Sequence, residues 1–238
     1  TVEAGCRREG RGARVTGRAR VRADGRVVGA VARSGGERQV IAYRKPAGEV
    51  VTRHDPGGRP TVFRRLPRLR SGRWLSVGRL DINTSGLLLF TNDGELANRL
   101  AHPSYEMVRD YAVRIFGSVD DSICRRLLAG VELDDGRAAF ESLQPLDHGE
   151  QANSWYRVRL REGTNRLVRR LWESQGVQIS RLIRVQYGPY EMPPRLREGQ
   201  IQAFTAGEVR DLAHRVGLAE ANAGDGDRRP RAHRRNRS

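Results

Sequence analysis

From about residue 39 onward, short stretches of alternating or clustered apolar positions follow one another, and no single period lasts long. QVIAYRK (39–45) and RWLSVGRL (73–80) read as strands, and the unbroken apolar run GLLLFT (86–91) suits a strand buried on both faces. In EMVRDYAVRIF (106–116), Tyr111, Val113 and Ile115 alternate with Asp110, Ala112 and Arg114, which predicts a half-buried strand with Tyr111 on the inward face. SWYRVRL (154–160) does the same with Tyr156, Val158 and Leu160, and ISRLIRVQYG (179–188) reads as another strand.

Helical periods interrupt these strands. Asn92 followed by Glu95 makes a variant capping box, after which Leu96, Ala97, Leu100 and Ala101 share one face until Pro103 ends the helix. DDSICRRLLAG (120–130) and AGEVRDLAHRVG (206–217) read as helices too. A further helix over 165–175 turns Leu167, Val168, Leu171, Trp172 and Gln175 inward, sets Arg166, Arg170 and Glu173 outward, and leaves Arg169 on the boundary. Strand and helix alternate without a βαβ rhythm, so an α+β fold with a mixed, mainly antiparallel sheet flanked by helices is expected.

The ends of the chain lack these patterns. Residues 1–38 are rich in Gly and Arg, with at most a short strand near GRVVGAV, and residues 218–238 form a polar, basic tail expected to be disordered. The patterned part, 39–217, is the expected folded domain. Thr1 stands where a start methionine would, as in a fragment or an altered start.

Composition adds a partner. The net charge is +16 and 37% of the 238 residues are hydrophobic, the footprint of a protein that meets a polyanion. Lys45 is the only lysine; the arginine bias suits phosphate and base edges but equally follows from a GC-rich genome. Cys6 and Cys124 support neither a disulfide framework nor a zinc site, no apolar run approaches 18 residues, and no export signal is visible, so a cytoplasmic protein with no membrane contact is expected.

Asp81, in GRLDINTSG just ahead of the apolar run, has two readings. It is a turn acid bonded to nearby amides, or a carboxylate fixed beside a pocket floor, kept ionised by Arg79 and other cations and able to act as nucleophile or base. Tyr111 is a core aromatic or a platform for a base. Gly163, Thr164 and Asn165 precede a helix whose free amides favour an anion, and Arg53, His54 and Arg59 sit on a Pro/Gly loop within reach of RNA.

GRLDINTSGLLLFTNDGELANRLAHP, YRKPAGEVVTRHDPGGRPTVF, RDYAVRIFG and EGTNRLVRRLWESQGVQISRLIRVQYG together resemble the ribosomal RNA pseudouridine synthases of the group that holds small-subunit synthase A and large-subunit synthases B, E and F. The likeness runs from about 40 to 205 and leans toward the synthase B branch, which acts on the large ribosomal RNA. It implies a pseudouridine synthase fold and isomerisation of uridine in ribosomal RNA, with 23S rRNA as the expected target, by a monomer without cofactor or metal. Asp81 would attack the uridine as its N-glycosidic bond breaks, Tyr111 would stack on the flipped base, and Arg169 would pair with Asp81. Arg79 would contact substrate, and Leu182 and Ile183 would wall the pocket. Lys45 and Pro46 match a KPxG motif near the cleft, while Lys45, Arg53, Arg59, Arg166 and Arg170 are candidate RNA contacts. The group's N-terminal S4-type RNA-binding domain is expected to be missing or degenerate here.

Two other functions compete. A noncatalytic assembly factor would not need Asp81, Tyr111 and Arg169 intact, and a hydrolytic glycosidase would want a second carboxylate opposite Asp81, a place the pattern gives to neither Asp110 nor Glu162.

Overall fold

A computed structural model describes residues 37–117, 119–146, 153–163 and 165–218, together with the backbone of four short strands ahead of them. Those strands, β1 (Val2–Ala4), β2 (Arg7–Glu9), β3 (Val21–Ala23) and β4 (Arg26–Val28), form an antiparallel sheet in the order β2-β1-β3-β4. The sequence led us to expect only the last of them. They belong to a unit of 1–37 and 221–238; a second unit spans 38–220. The expected disordered tail lies outside the described residues.

The second unit is built on a nine-stranded sheet. Its strands are β5 (Val40–Lys45), β6 (Leu75–Val77), β7 (Ser85–Thr91), β8 (Arg109–Phe116), β11 (Ser142–Pro145), β12 (Asn153–Leu160), β13 (Ile179–Tyr187), β14 (Tyr190–Glu191) and β15 (Ile201–Ala203). The order is β11-β12-β8-β13-β7-β5-β15, with β14 on β13 and β6 on β7. Every pairing is antiparallel except β13 with β7, which makes the sheet mixed but mainly antiparallel, as expected. A hairpin of β9 (Val131–Leu133) and β10 (Gly136–Ala138) stands apart.

The GLLLFT run explains the centre. All seven residues of β7 are buried, with Leu88 and Phe90 in one apolar cluster and Leu87 and Leu89 in another. Each such side chain taken out of water contributes roughly 1.5–3 kcal/mol. Helix α1 (Gly94–Ala101) and helix α4 (Ala206–Arg215) pack into the second cluster; helix α3 (Leu167–Glu173) and Leu127 of helix α2 (Asp121–Ala129) pack into the first.

Two local expectations change. The cap of α1 is Asp93, whose carboxylate accepts from the amides of Glu95 and Leu96; Asn92 instead accepts from the amide of Gln39 and ties β5 to the loop. Helix α3 is shorter than the 165–175 expected, because Arg166 adopts a left-handed conformation (φ 52°) and helical geometry begins only at Leu167. Its inner face holds otherwise, with Leu167, Val168, Leu171 and Trp172 buried and Trp172 against Phe140 and Tyr156. Gln175 falls beyond the helix and accepts from Arg126.

Candidate active site

Asp81 does not stand on a strand. It opens a turn between β6 and β7, closed by the amide of Thr84 donating to the Asp81 carbonyl at 3.0 Å. Only its backbone serves that turn: among the described residues nothing hydrogen-bonds or ion-pairs with its half-buried carboxylate within 4 Å. The reading of Asp81 as a turn acid bonded to local amides therefore fails, since the turn forms without the charge.

The turn is clamped from behind by the KPAG segment. Lys45, at the end of β5, is completely buried, and its Nζ donates to the carbonyls of Pro46 (2.9 Å), Thr84 (2.8 Å) and Ile82 (3.4 Å). The amide of Gly48, at φ 92°, adds a 2.8 Å bond to the Ile82 carbonyl. Glu49 is buried beside them, accepting from Tyr43 Oη (2.6 Å) and Arg65 Nε (2.7 Å). Burial lowers the Lys45 pKa to about 8, against the opposing charges of Glu49, Asp81 and Glu198. The expected role of Lys45 as an RNA contact is thereby corrected, because a side chain with no exposed surface meets no phosphate.

Arg169 reaches the same turn from α3. Its Nη2 donates to the Asn83 carbonyl at 3.0 Å, and no ion pair with Asp81 forms within 4 Å. The expected direct pairing is thus replaced by a grip on the backbone two residues along, from which Asp81 is still felt electrostatically. Burial and the neighbouring Arg166 lower the Arg169 pKa, while Asp81 and Glu173 oppose them.

The Asp81 turn opens on a cleft of about 360 Å³, whose lining includes neither Lys45 nor Arg169. Asp81, Arg79, Tyr111, Leu182 and Arg166 all line it. Ile183 does not: adjacent strand residues point to opposite faces, so Leu182 takes the cleft side and Ile183 the other. Arg170 makes a bidentate pair with Asp135 (2.6 and 3.0 Å) and Arg59 pairs with Asp55 (2.7 Å), so both are held by carboxylates away from the cleft. Arg53 stacks 4.5 Å from the Phe63 ring centroid and donates to the Trp74 carbonyl. Thr164 lies outside the described residues.

Arg109, Arg184 and Tyr187 are among the lining residues that were not singled out from the sequence. Glu162 shares the cleft as well, whereas Asp110 is buried between Arg157 and Arg159. Among the described residues no group of three or more His, Cys, Asp or Glu side chains is arranged to hold a metal ion, and no helix is long and apolar enough to cross a membrane.

The model of the RNA pseudouridylate synthase family matches residues 39–174, the segment that carries Asp81, Tyr111 and Arg169. The chain belongs to the RNA pseudouridylate synthase family. Among relatives, it is 53% identical over 207 residues to ribosomal large subunit pseudouridine synthase B of Pseudomonas aeruginosa, covering 87% of this chain and 54% of that protein. It is 62% identical over 161 residues to the Escherichia coli K12 protein of the same name, covering 68% and 55%. The chain thus spans little more than half the length of these relatives. A solved structure titled as a pseudouridylate synthase shares the pseudouridine synthase fold, with a TM-score of 0.68, 22% identity, and coverage of 89% of this chain and 88% of that one.

Proposed function

We propose that this pseudouridylate synthase family member isomerises uridine to pseudouridine in ribosomal RNA, with the large-subunit 23S RNA as substrate and the monomer as the active form. Residues 39–217 are the catalytic domain in this reading. The observation that carries it is the Asp81 carboxylate, half-buried in a basic cleft, unused by its own turn and backed by a buried ammonium. A fold with no need of that charge would have no reason to bear the cost of partly desolvating it. The likeness to large-subunit synthase B supports the substrate class.

In the proposed reaction Asp81 bonds to the nucleotide as the bond from C1′ to N1 breaks; the base turns, C1′ joins C5 as the carboxylate is released, and the proton lost from C5 is balanced by one gained at N1. Nothing is oxidised and no group leaves, so the task for the protein is to extrude the base, hold it and position one carboxylate. Tyr111 offers the stacking face, Leu182 walls the base, and Arg79 and Arg166 meet the RNA at the rim. Arg169 acts as a positioning residue through Asn83.

Asp81→Asn keeps the turn and removes the nucleophile. Pseudouridine mapping of ribosomal RNA from cells carrying either form is expected to lose one signal in the variant, with RNA affinity of the purified proteins equal. An unchanged map refutes the enzymatic reading and leaves a noncatalytic RNA-binding factor.

A further inference from the structure

Around Tyr187 the cleft wall holds two arginines that have no counter-ion among the described residues. Arg109 on β8 and Arg184 on β13 are 6% and 2% exposed, and both line the cleft. Their guanidinium carbons lie 5.3 and 4.8 Å from the Tyr187 ring centroid, and the hydroxyl of that ring is bonded to the Leu100 carbonyl at 2.8 Å. Arg109 Nη1 donates to the carbonyls of Met107 and Arg161. Arg184 Nε donates to the Leu87 carbonyl at 2.8 Å, while its Nη2 is buried with no partner.

Every acceptor of these two side chains is a neutral carbonyl, and among the described residues no carboxylate lies within 4 Å of either. The contrast with the adjoining strand is sharp: there Arg157 and Arg159 share the buried carboxylate of Asp110. Two buried cations on one aromatic ring repel each other, and the ring quadrupole attracts each only weakly. Glu162 and Asp81, the carboxylates of the cleft, bond to neither. What the arrangement lacks is an anion of fork-matching geometry, which a phosphate supplies.

We propose that Arg109 and Arg184 form an anion subsite that receives a backbone phosphate beside the nucleotide held at Asp81. The proposal rests on the uridine-isomerising reading for the identity of the ligand. It gives the cleft two functions: chemistry at the Asp81 turn and register at the Tyr187 wall, the phosphate fixing which nucleotide reaches the carboxylate.

The test uses an RNA that the wild type modifies, synthesised with a single uncharged methylphosphonate linkage at each position within three nucleotides of the target. In the wild type one of these linkages is expected to lower kcat/KM by about 10–100-fold, the range for a lost charge-assisted hydrogen bond. In Arg184→Gln the native RNA suffers a similar loss and that linkage lowers the rate no further; Arg184→Lys recovers part of it. Losses that multiply independently overturn the subsite and leave Arg184 as a structural residue. Thermal unfolding checks each variant. Should Arg184→Gln not fold, the Nε–H resonance of Arg184 in the wild type decides: a saturable shift on titration with inorganic phosphate at constant ionic strength supports the subsite, and no shift, or one matched by chloride, overturns it. A wild type that forms no pseudouridine refutes the function instead, and the phosphate titration still reports on the subsite.

Discussion

Lys45 Nζ donates to the Thr84 carbonyl at 2.8 Å, across 39 residues of sequence, and so fastens the end of β5 to the turn that presents Asp81. A charged donor in a dry site is a strong and directional clamp.

Replacing it with Met therefore leaves the buried carbonyl of Thr84 without its donor, at roughly 1–3 kcal/mol, and frees the part-buried carbonyl of Pro46, both partly offset by relief of the buried charge. Lys45→Met is expected to lower the single-turnover rate of pseudouridine formation at least tenfold, while RNA affinity in a binding titration changes less than twofold. Equal losses in both would mean that Lys45 serves RNA binding after all.

The same clamp has a pH dependence. Burial depresses the Lys45 pKa to about 8 in the folded chain, below its ordinary value of 10.5. Between those limits the unfolded chain binds more protons, so on this group's account stability rises with pH through that window. Activity moves the other way: above about pH 8 the ammonium loses its charge and the turn loosens. The pH–rate profile is expected to fall above about 8 in the wild type and to lose that limb in Lys45→Arg, whose charge persists. An identical limb in both proteins would assign it elsewhere.

Asp110 is 1% exposed and accepts from Arg159 Nε (2.8 Å) and Nη2 (2.9 Å) and from Arg157 Nε (2.9 Å). Burial pushes its pKa up, but the hydrogen bonds from Arg159 and Arg157 outweigh it and hold the carboxyl below the usual range. A depressed carboxylate contributes stability above its unfolded pKa, about 3.9, and loses it as pH falls through the folded value. Asp110→Asn is expected to destabilise by about 1–3 kcal/mol at pH 7, with the gap closing as pH falls through the depressed folded pKa. Urea unfolding at pH 7 and along an acid series measures it; a gap independent of pH would exclude the charge as its cause.

Gly86 sits at the centre of the sheet, opposite Lys45 on β5 and Arg184 on β13, at φ 102°. A Cβ there would lie 2.3 Å from the Arg184 carbonyl oxygen and 2.7 Å from its amide nitrogen, both backbone atoms. Gly86→Ala combines a left-handed strain of about 1–3 kcal/mol with overpacking of about 1–3. We expect a marked drop in the thermal midpoint and loss of activity even where the variant folds, because β7 runs on from the Asp81 turn and β13 carries Leu182, Arg184 and Tyr187 on the cleft wall. A variant with wild-type melting would show that the strands separate at no cost.

The strands and helices were legible because one-dimensional periods govern them. β12 follows its alternation residue by residue and β8 does so from Tyr111 to Ile115, although Asp110 is buried on the other face, and the α3 face emerges from its helical spacing even though the helix starts two residues late. The capping aspartate was misplaced by one residue because Asn92 and Asp93 suit a cap equally, and only the contact of Asn92 with Gln39, 53 residues away, distinguishes them.

The site divides along the same line. Asp81, Tyr111, Arg79 and Leu182, which line the cleft, were singled out from motif and resemblance, since residue type and local spacing carry that information; Arg169 was too, but it grips the Asn83 carbonyl rather than pairing with Asp81. That the Asp81 carboxylate bonds to none of the described residues, that Lys45 faces inward, that Ile183 turns away from the cleft, and that Arg109 and Arg184 meet on one tyrosine were decided only in three dimensions. The physical reason is that burial and charge pairing depend on which distant strands the sheet makes neighbours. A local pattern specifies each strand, but the pairing of β12 on β8 brings Arg157 and Arg159 to Asp110, while the pairing of β8 on β13 sets Arg109 and Arg184 at the Tyr187 wall, where among the described residues no carboxylate pairs with them.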